Sequence, residues 1–290
     1  MMNLAFINLR AAYRLFYFLI IIYIYFLTAA VLYFSTFNKI RRRHRLVGNA
    51  QFYAQFMAGA FNVKVSYKNA ISADENSLVV GNHTGFIDIV CLQALRGCVF
   101  ITSLEMKNTP VLGQICDLAG CTYVNRKSRT SIQDELKGIT EVLKEGSRVV
   151  LYAESVASNG EQVLPFKKTL MMAAGYAGRP IRPFVFNYRE VNGGPVLYHH
   201  RDSVCWYGDE TFFPAIWRSL KLNSVTCEIE FLPLVYTKPE DDRTEIAKYL
   251  HQIISEKYVP FQPDMNLPVN KTGQSNSAGN TPRTELATKS

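Results

Sequence analysis

The sequence predicts an α/β fold: a mixed, largely parallel sheet flanked by helices, with an N-terminal transmembrane helix. Three observations carry this. Short β-branched runs alternate with helical stretches from residue 63 onward. Residues 15–37 contain no charge. The chain has 290 residues, 48% hydrophobic and 19% charged, which is ample for a large buried core. That composition excludes a disulfide-stapled miniprotein, a collagen and a wholly disordered chain.

The charge-free stretch comes first. Its 23 residues would form a helix of roughly 35 Å, against a hydrocarbon core of about 30 Å. A signal peptide has an apolar region of only about 7–15 residues. Arg10 and Arg14 precede the stretch; Lys39, Arg41, Arg42, Arg43 and Arg45 follow it. That asymmetry predicts a single-pass membrane protein with its catalytic domain on the cytoplasmic side. The second cluster would lie against anionic headgroups. Nine bases precede Asp74, the first acidic residue, leaving a net of −1 for the rest of a chain whose total is +8. A basic surface confined to the N-terminal quarter does not suit a nucleic-acid binder, so membrane lipids and no nucleic acid are expected as partners.

Beyond the anchor, assigned to residues 1–46, Phe52, Tyr53, Phe56, Met57 and Phe61 recur at helical spacing. Strands are expected at 63–67, 78–81, 99–103, 148–152, 181–188 and 225–234. Helices are expected at 131–144, 170–176, 212–220 and 243–258. Ile132, Leu136, Ile139 and Leu143 give the first of these its apolar stripe, and Gly146 ends it. These elements make residues 47–260 one catalytic domain. Residues 261–290 turn polar, with no aromatic after Phe261, and are expected to form a disordered tail. The six cysteines show no metal-ligand spacing and read as reduced thiols. No metal and no redox cofactor are expected.

The chemistry concentrates in VVGNHTGFIDIV. A strand ends at Gly81; Asn82 and His83 follow, with Asp88 five residues further on. In a straight helix two side chains five apart diverge by roughly 140°. His83 and Asp88 can meet only if the backbone turns between them, and Gly85 permits a turn. An Asp88 that fixes the tautomer of His83 would make it a competent general base. Alone, the pair is a weak signal. Downstream, however, come GQICDLAGCTYVNRKSR, LYAESVASNGEQVLPFKKTL and RPIRPFVFNY, in that order.

With these motifs the chain resembles the glycerolipid O-acyltransferases, the family of the 1-acylglycerol-3-phosphate acyltransferases. Asn82, His83 and Asp88 match the first motif, Asn-His-x-x-x-x-Asp. Gly113 and Arg126 match the second, Glu154 and Leu164 to Lys167 the third, and Pro183 the fourth. The resemblance covers roughly residues 50–235. It implies transfer of a fatty acyl group from a thioester, on acyl carrier protein or coenzyme A, to the hydroxyl of a lysolipid. The thioester is a co-substrate. It also implies His83 and Asp88 as the catalytic pair, and Asn82, Arg126, Glu154, Ser155, Lys167 and Pro183 as substrate-binding residues. Arg126 would hold the acceptor's polar head, Glu154 the acceptor hydroxyls or the site backbone, and Lys167 the donor phosphates.

The third motif departs from the family. Ser155, Val156 and Ala157 stand where Gly-Thr-Arg is expected. The missing Arg would have been a charge-assisted partner for an acceptor phosphate. Ser158, Asn159, Gly160 and Val163 resemble the bacterial branch that acylates lyso-ornithine lipid, a zwitterionic acceptor without phosphate. Lysophosphatidic acid stays open as the acceptor. Two other functions compete with acyl transfer. A lipid hydrolase would need a nucleophile elbow, and the chain has no G-x-S-x-G. A catalytically silent lipid-binding protein would explain the altered third motif but not the retained His/Asp pair.

Overall fold

The computed structural model describes residues 4–125 and 131–264. Two long helices come first, α1 (Leu4–Ser35) and α2 (Lys39–Ala60). The sheet domain follows in the order β1 (Val63–Lys68), β2 (Leu78–Gly81), α3 (Phe86–Leu95), β3 (Val99–Ser103), α4 (Leu104–Lys107), α5 (Leu112–Leu118) and β4 (Thr122–Val124). It continues with α6 (Ile132–Lys144), β5 (Val149–Tyr152), α7 (Ala173–Ala177), β6 (Ile181–Val191), α8 (Arg201–Val204), α9 (Phe212–Lys221), β7 (Val225–Phe231) and α10 (Arg243–Ser255).

The strands form one sheet in the order β1-β7-β6-β2-β5-β3-β4. Neighbours are parallel except β6 and β7. This is the predicted mixed, largely parallel α/β sheet. Its central strands β2 and β5 are buried along their whole length, as strands covered by helices on both faces must be. One core joins α3 and α9 to the sheet through Ile87, Leu92, Phe184, Ile216 and Leu220. The other places Leu136, Ile139 and Leu143 of α6 and Leu250 of α10 against Leu78, Val149 and Ile181. In the strand order β2 lies centrally, between β6 and β5. Ligands of open α/β sheets bind outside the carboxyl ends of such strands.

α1 is apolar and long enough to cross a membrane by length and composition. It also contacts the sheet domain at both ends and midway. Arg10 donates to Asn223 Oδ1 at 2.8 Å and to Lys221 O at 2.7 Å, and Arg14 bonds the Leu220 and Leu222 carbonyls. Midway, Tyr25 Oη donates to Ile115 O at 3.1 Å. Past the far end, Arg43 pairs with Glu145, and His44 Nε2 lies 3.2 Å from Ser147 Oγ. Both flanks are bonded to one domain. Ala11, Phe18, Ile22, Tyr25 and Ala29 bury one stripe of α1 in that domain. Leu9, Tyr13, Phe16, Ile20, Leu27 and Val31 leave another exposed.

The expected domain edges also move. Helix α2 runs unbroken through residues 46 and 47. Phe261, expected to open the tail, is 3% exposed; its backbone N–H donates to Gly160 O at 3.1 Å, and Gln262 N–H donates to Val196 O at 2.9 Å. The folded domain therefore extends beyond residue 261. The expectation for residues 265–290 falls outside the described residues.

Candidate active site

The turn that brings His83 and Asp88 together is built at Gly85. Its φ of 154° is one that side chains rarely adopt, and a Cβ there would lie 2.8 Å from Trp206 N. Helix α3 then starts at Phe86, so Asp88 is its third residue rather than a residue on a shared helix with His83. From that position its carboxylate caps the helix and reaches back. Oδ2 accepts from Thr84 N at 2.6 Å, Thr84 Oγ1 at 3.0 Å and Gly85 N at 3.1 Å. His83 Nδ1 lies 3.1 Å from Oδ2 and 3.2 Å from Oδ1. Asp88 is 0% exposed, and these donors and the helix N-terminus face its carboxyl group. With Nδ1 against the carboxylate, Nε2 is the His83 nitrogen left to take a proton.

Glu154, in the turn that follows β5, holds the same segment. Its Oε1 accepts His83 N at 2.7 Å and its Oε2 accepts Leu164 N at 2.8 Å. Burial raises its carboxyl to about 7, against the two backbone donors that favour the ionised form. Ser158 N–H donates to His83 O at 2.8 Å and ties the loop after Glu154 to the same turn. Of the two roles expected for Glu154, the structure displays the backbone one.

A cavity of about 640 Å³ opens from His83. Its walls are mostly apolar: Met57, Ile89, Val90, Phe100, Ile101 and Ile115 line it, and Tyr25, Ala50 and Ala54 of the two N-terminal helices close part of it. Near His83 it is bounded by Tyr152, Val156 and Ala157, and by the segment from Trp206 to Glu210. Asp209 and Glu210 give this wall two carboxylates, of which Glu210 is paired with Arg218. Among the described residues the lining contains no lysine or arginine.

Residues 62–187, the stretch that builds this site, match the acyltransferase family. Over that stretch the chain is similar to acyltransferases. The chain is 29% identical over 204 residues to a lyso-ornithine lipid O-acyltransferase of Brucella abortus, covering 68% of this chain and 76% of that one. It is 28% identical over 177 residues to a 1-acyl-sn-glycerol-3-phosphate acyltransferase of Neisseria gonorrhoeae, covering 61% and 67%. Its fold matches the crystal structure of the 1-acyl-sn-glycerophosphate acyltransferase PlsC of Thermotoga maritima. There the TM-score is 0.60 at 17% identity, over 87% of this chain and 97% of that one.

The other residues singled out in the sequence scatter. Asn82 is not available to substrate: its Oδ1 accepts Phe186 N at 2.8 Å and its Nδ2 donates to Phe186 O at 2.9 Å. It continues the β2–β6 ladder by one side-chain rung. Pro183 lies in β6 beside Val80 and Lys167 is exposed; neither lines the cavity. Lys168 bonds Thr244. Ser155 turns the chain with a φ of 65° and also misses the lining, whereas Ala157 faces the cavity. Gly113 is required sterically, since a Cβ would meet Lys107 O at 2.0 Å. Arg126 lies outside the described residues. Sequence reasoning missed Tyr152, whose ring stacks on His83 with centroids 4.0 Å apart and planes at 17°.

Proposed function

We propose that the protein transfers a fatty acyl group from a thioester to the hydroxyl of a lysolipid in membrane lipid synthesis. The carrying observation is His83, bound to a buried Asp88 through Nδ1, at the head of an apolar cavity. The acceptor hydroxyl gives its proton to Nε2 as its oxygen attacks the thioester carbonyl. The carbon–sulfur bond then breaks, and the imidazolium returns the proton to the departing thiolate. General-base action of this kind is worth about 10²–10⁴-fold. The thioester is already activated, so no covalent enzyme intermediate is invoked. The apolar walls would take the acyl chain. Acyl carrier protein or coenzyme A would present the thioester; the mechanism needs no further cofactor.

The acceptor reading follows from charge. Ala157 stands in the wall where phosphate-binding relatives are expected to carry Arg, and the carboxylate of Asp209 favours a head group bearing an ammonium. Lyso-ornithine lipid fits better than lysophosphatidic acid, in line with the Brucella abortus relative.

The membrane would be met through α1. The exposed apolar stripe of α1, with Phe37, Phe52 and Phe56 nearby in the chain, would enter one leaflet while the basic run of α2 meets anionic headgroups. The cytoplasmic face supplies both the anionic surface and the thioester.

The test incubates purified protein with labelled acyl thioester and the two lysolipids at equal concentration in the same micelles. Transfer with a higher kcat/KM for lyso-ornithine lipid is expected. A higher value for lysophosphatidic acid would refute the acceptor. Release of free acid would mark a hydrolase, and no turnover a silent binder.

A further inference from the structure

We propose that Tyr152 is a positioning residue for the catalytic base, acting through the face of its ring. The inference rests on His83 being that base.

A hydrogen bond at one ring nitrogen is a hinge. Asp88 fixes the edge of the His83 imidazole but not its tilt about that bond. Tyr152 supplies the missing constraint: its ring lies 4.0 Å from the imidazole centroid, at 17° to it. Tyr152 is itself held. It is the last residue of β5, in register with Gly81 of β2, two residues before His83. Phe100 stacks against it at 6.2 Å and Phe184 meets it edge-on at 6.1 Å. It is 8% exposed, and burial keeps its phenol far above the ordinary range, hence neutral. A neutral aromatic face attracts the imidazolium formed in each turnover more than the neutral ring before it. Positioning and charge stabilisation therefore act in the same direction.

The hydroxyl is a different matter. It is buried near the Asp88 carboxylate but meets no partner with hydrogen-bond geometry among the described residues. The ring is thus the working part and the oxygen is dispensable. Other titratable groups face His83 too: Asp88 and Glu154 are bonded to its turn, and Tyr207, Asp209, Glu210, Cys116 and Cys121 lie along the cavity.

Three replacements in the full chain, in micelles, test this: Tyr152→Phe, Tyr152→Leu and Tyr152→pentafluorophenylalanine. The last keeps the ring and reverses the sign of its face. Tyr152→Phe should keep kcat within about two-fold, with an unchanged pH profile. Tyr152→Leu should lower kcat at least about ten-fold with little change in acceptor KM, as loss of orientation does. The fluorinated ring should move the acid limb of kcat/KM to lower pH by about half a unit, because the imidazolium loses its partner. Titration of carbon-labelled histidine, with His83 assigned by its loss in His83→Ala, separates that limb from Glu154. Wild-type kcat and pH profile in Tyr152→Leu would overturn the proposal, as would equal damage in Tyr152→Phe. If Tyr152→Leu does not fold, an unshifted His83 titration in the fluorinated variant overturns it. An active His83→Ala would instead refute the general-base reading on which it rests.

Discussion

Replacing Glu154 with Gln separates two forces that oppose each other at the site. In the wild type both carboxyl oxygens accept a backbone N–H, one from His83 and one from Leu164. Gln keeps one acceptor and turns an NH₂ toward the other amide. One buried N–H then loses its partner, at about 1–3 kcal/mol. Against this, Gln cannot ionise. Burial raises the Glu154 carboxyl from 4.5 to about 7. A carboxyl raised on folding holds its proton more tightly in the folded state. Its contribution is therefore full below about pH 4.5 and is lost as the pH rises through about 7, a difference of about 3 kcal/mol. Glu154→Gln should accordingly be less stable than wild type at about pH 4.5 and equal to or more stable than it at about pH 8. Urea unfolding in micelles across that range reads the difference directly. A gap that is constant with pH, or that widens as pH rises, would refute the reasoning. It would mean that the two backbone donors outweigh burial and keep Glu154 ionised.

Two further outcomes follow from the same geometry. Ala157→Arg should shift the ratio of kcat/KM values toward lysophosphatidic acid by up to about 1.5–3 kcal/mol, the range of a hydrogen bond to a charged group; an unchanged ratio in competition assays would show that position 157 does not meet the acceptor head. Reporters fused before Met1 and after Ser290 should report the same side of the membrane, because Arg10 and Arg14 are bonded to the catalytic domain; reporters on opposite sides would show that α1 crosses the membrane.

The sheet was legible because buried parallel strands read as short β-branched runs, and helix α6 because its apolar residues fall on one stripe. Helix α3 was not, since it is apolar nearly all round and shows no period. Hydropathy over residues 15–37 cannot distinguish a helix that crosses a bilayer from one that lies along a domain. The buried Ala11 and Ala29 are small residues of the kind that let another element approach closely, a faint sign of packing. The pairing of His83 with Asp88 was legible as a motif. Its geometry was not, because the turn at Gly85 and the capping role of Asp88 are set by backbone dihedrals and by Trp206, far off in the chain. Asn82 was assigned to substrate because its ladder partner, Phe186, is invisible in a linear reading. Tyr152 read as the end of a core strand; only its register with Gly81 puts it against His83.

The central claim is that His83, set by Asp88, removes the acceptor proton. Its most direct measurement is the single-turnover rate of acyl transfer by purified His83→Ala, with labelled acyl thioester and saturating lysolipid, beside wild type of matched fold by circular dichroism. The account requires a loss of at least about 10²-fold. A His83→Ala rate near that of the wild type would contradict it.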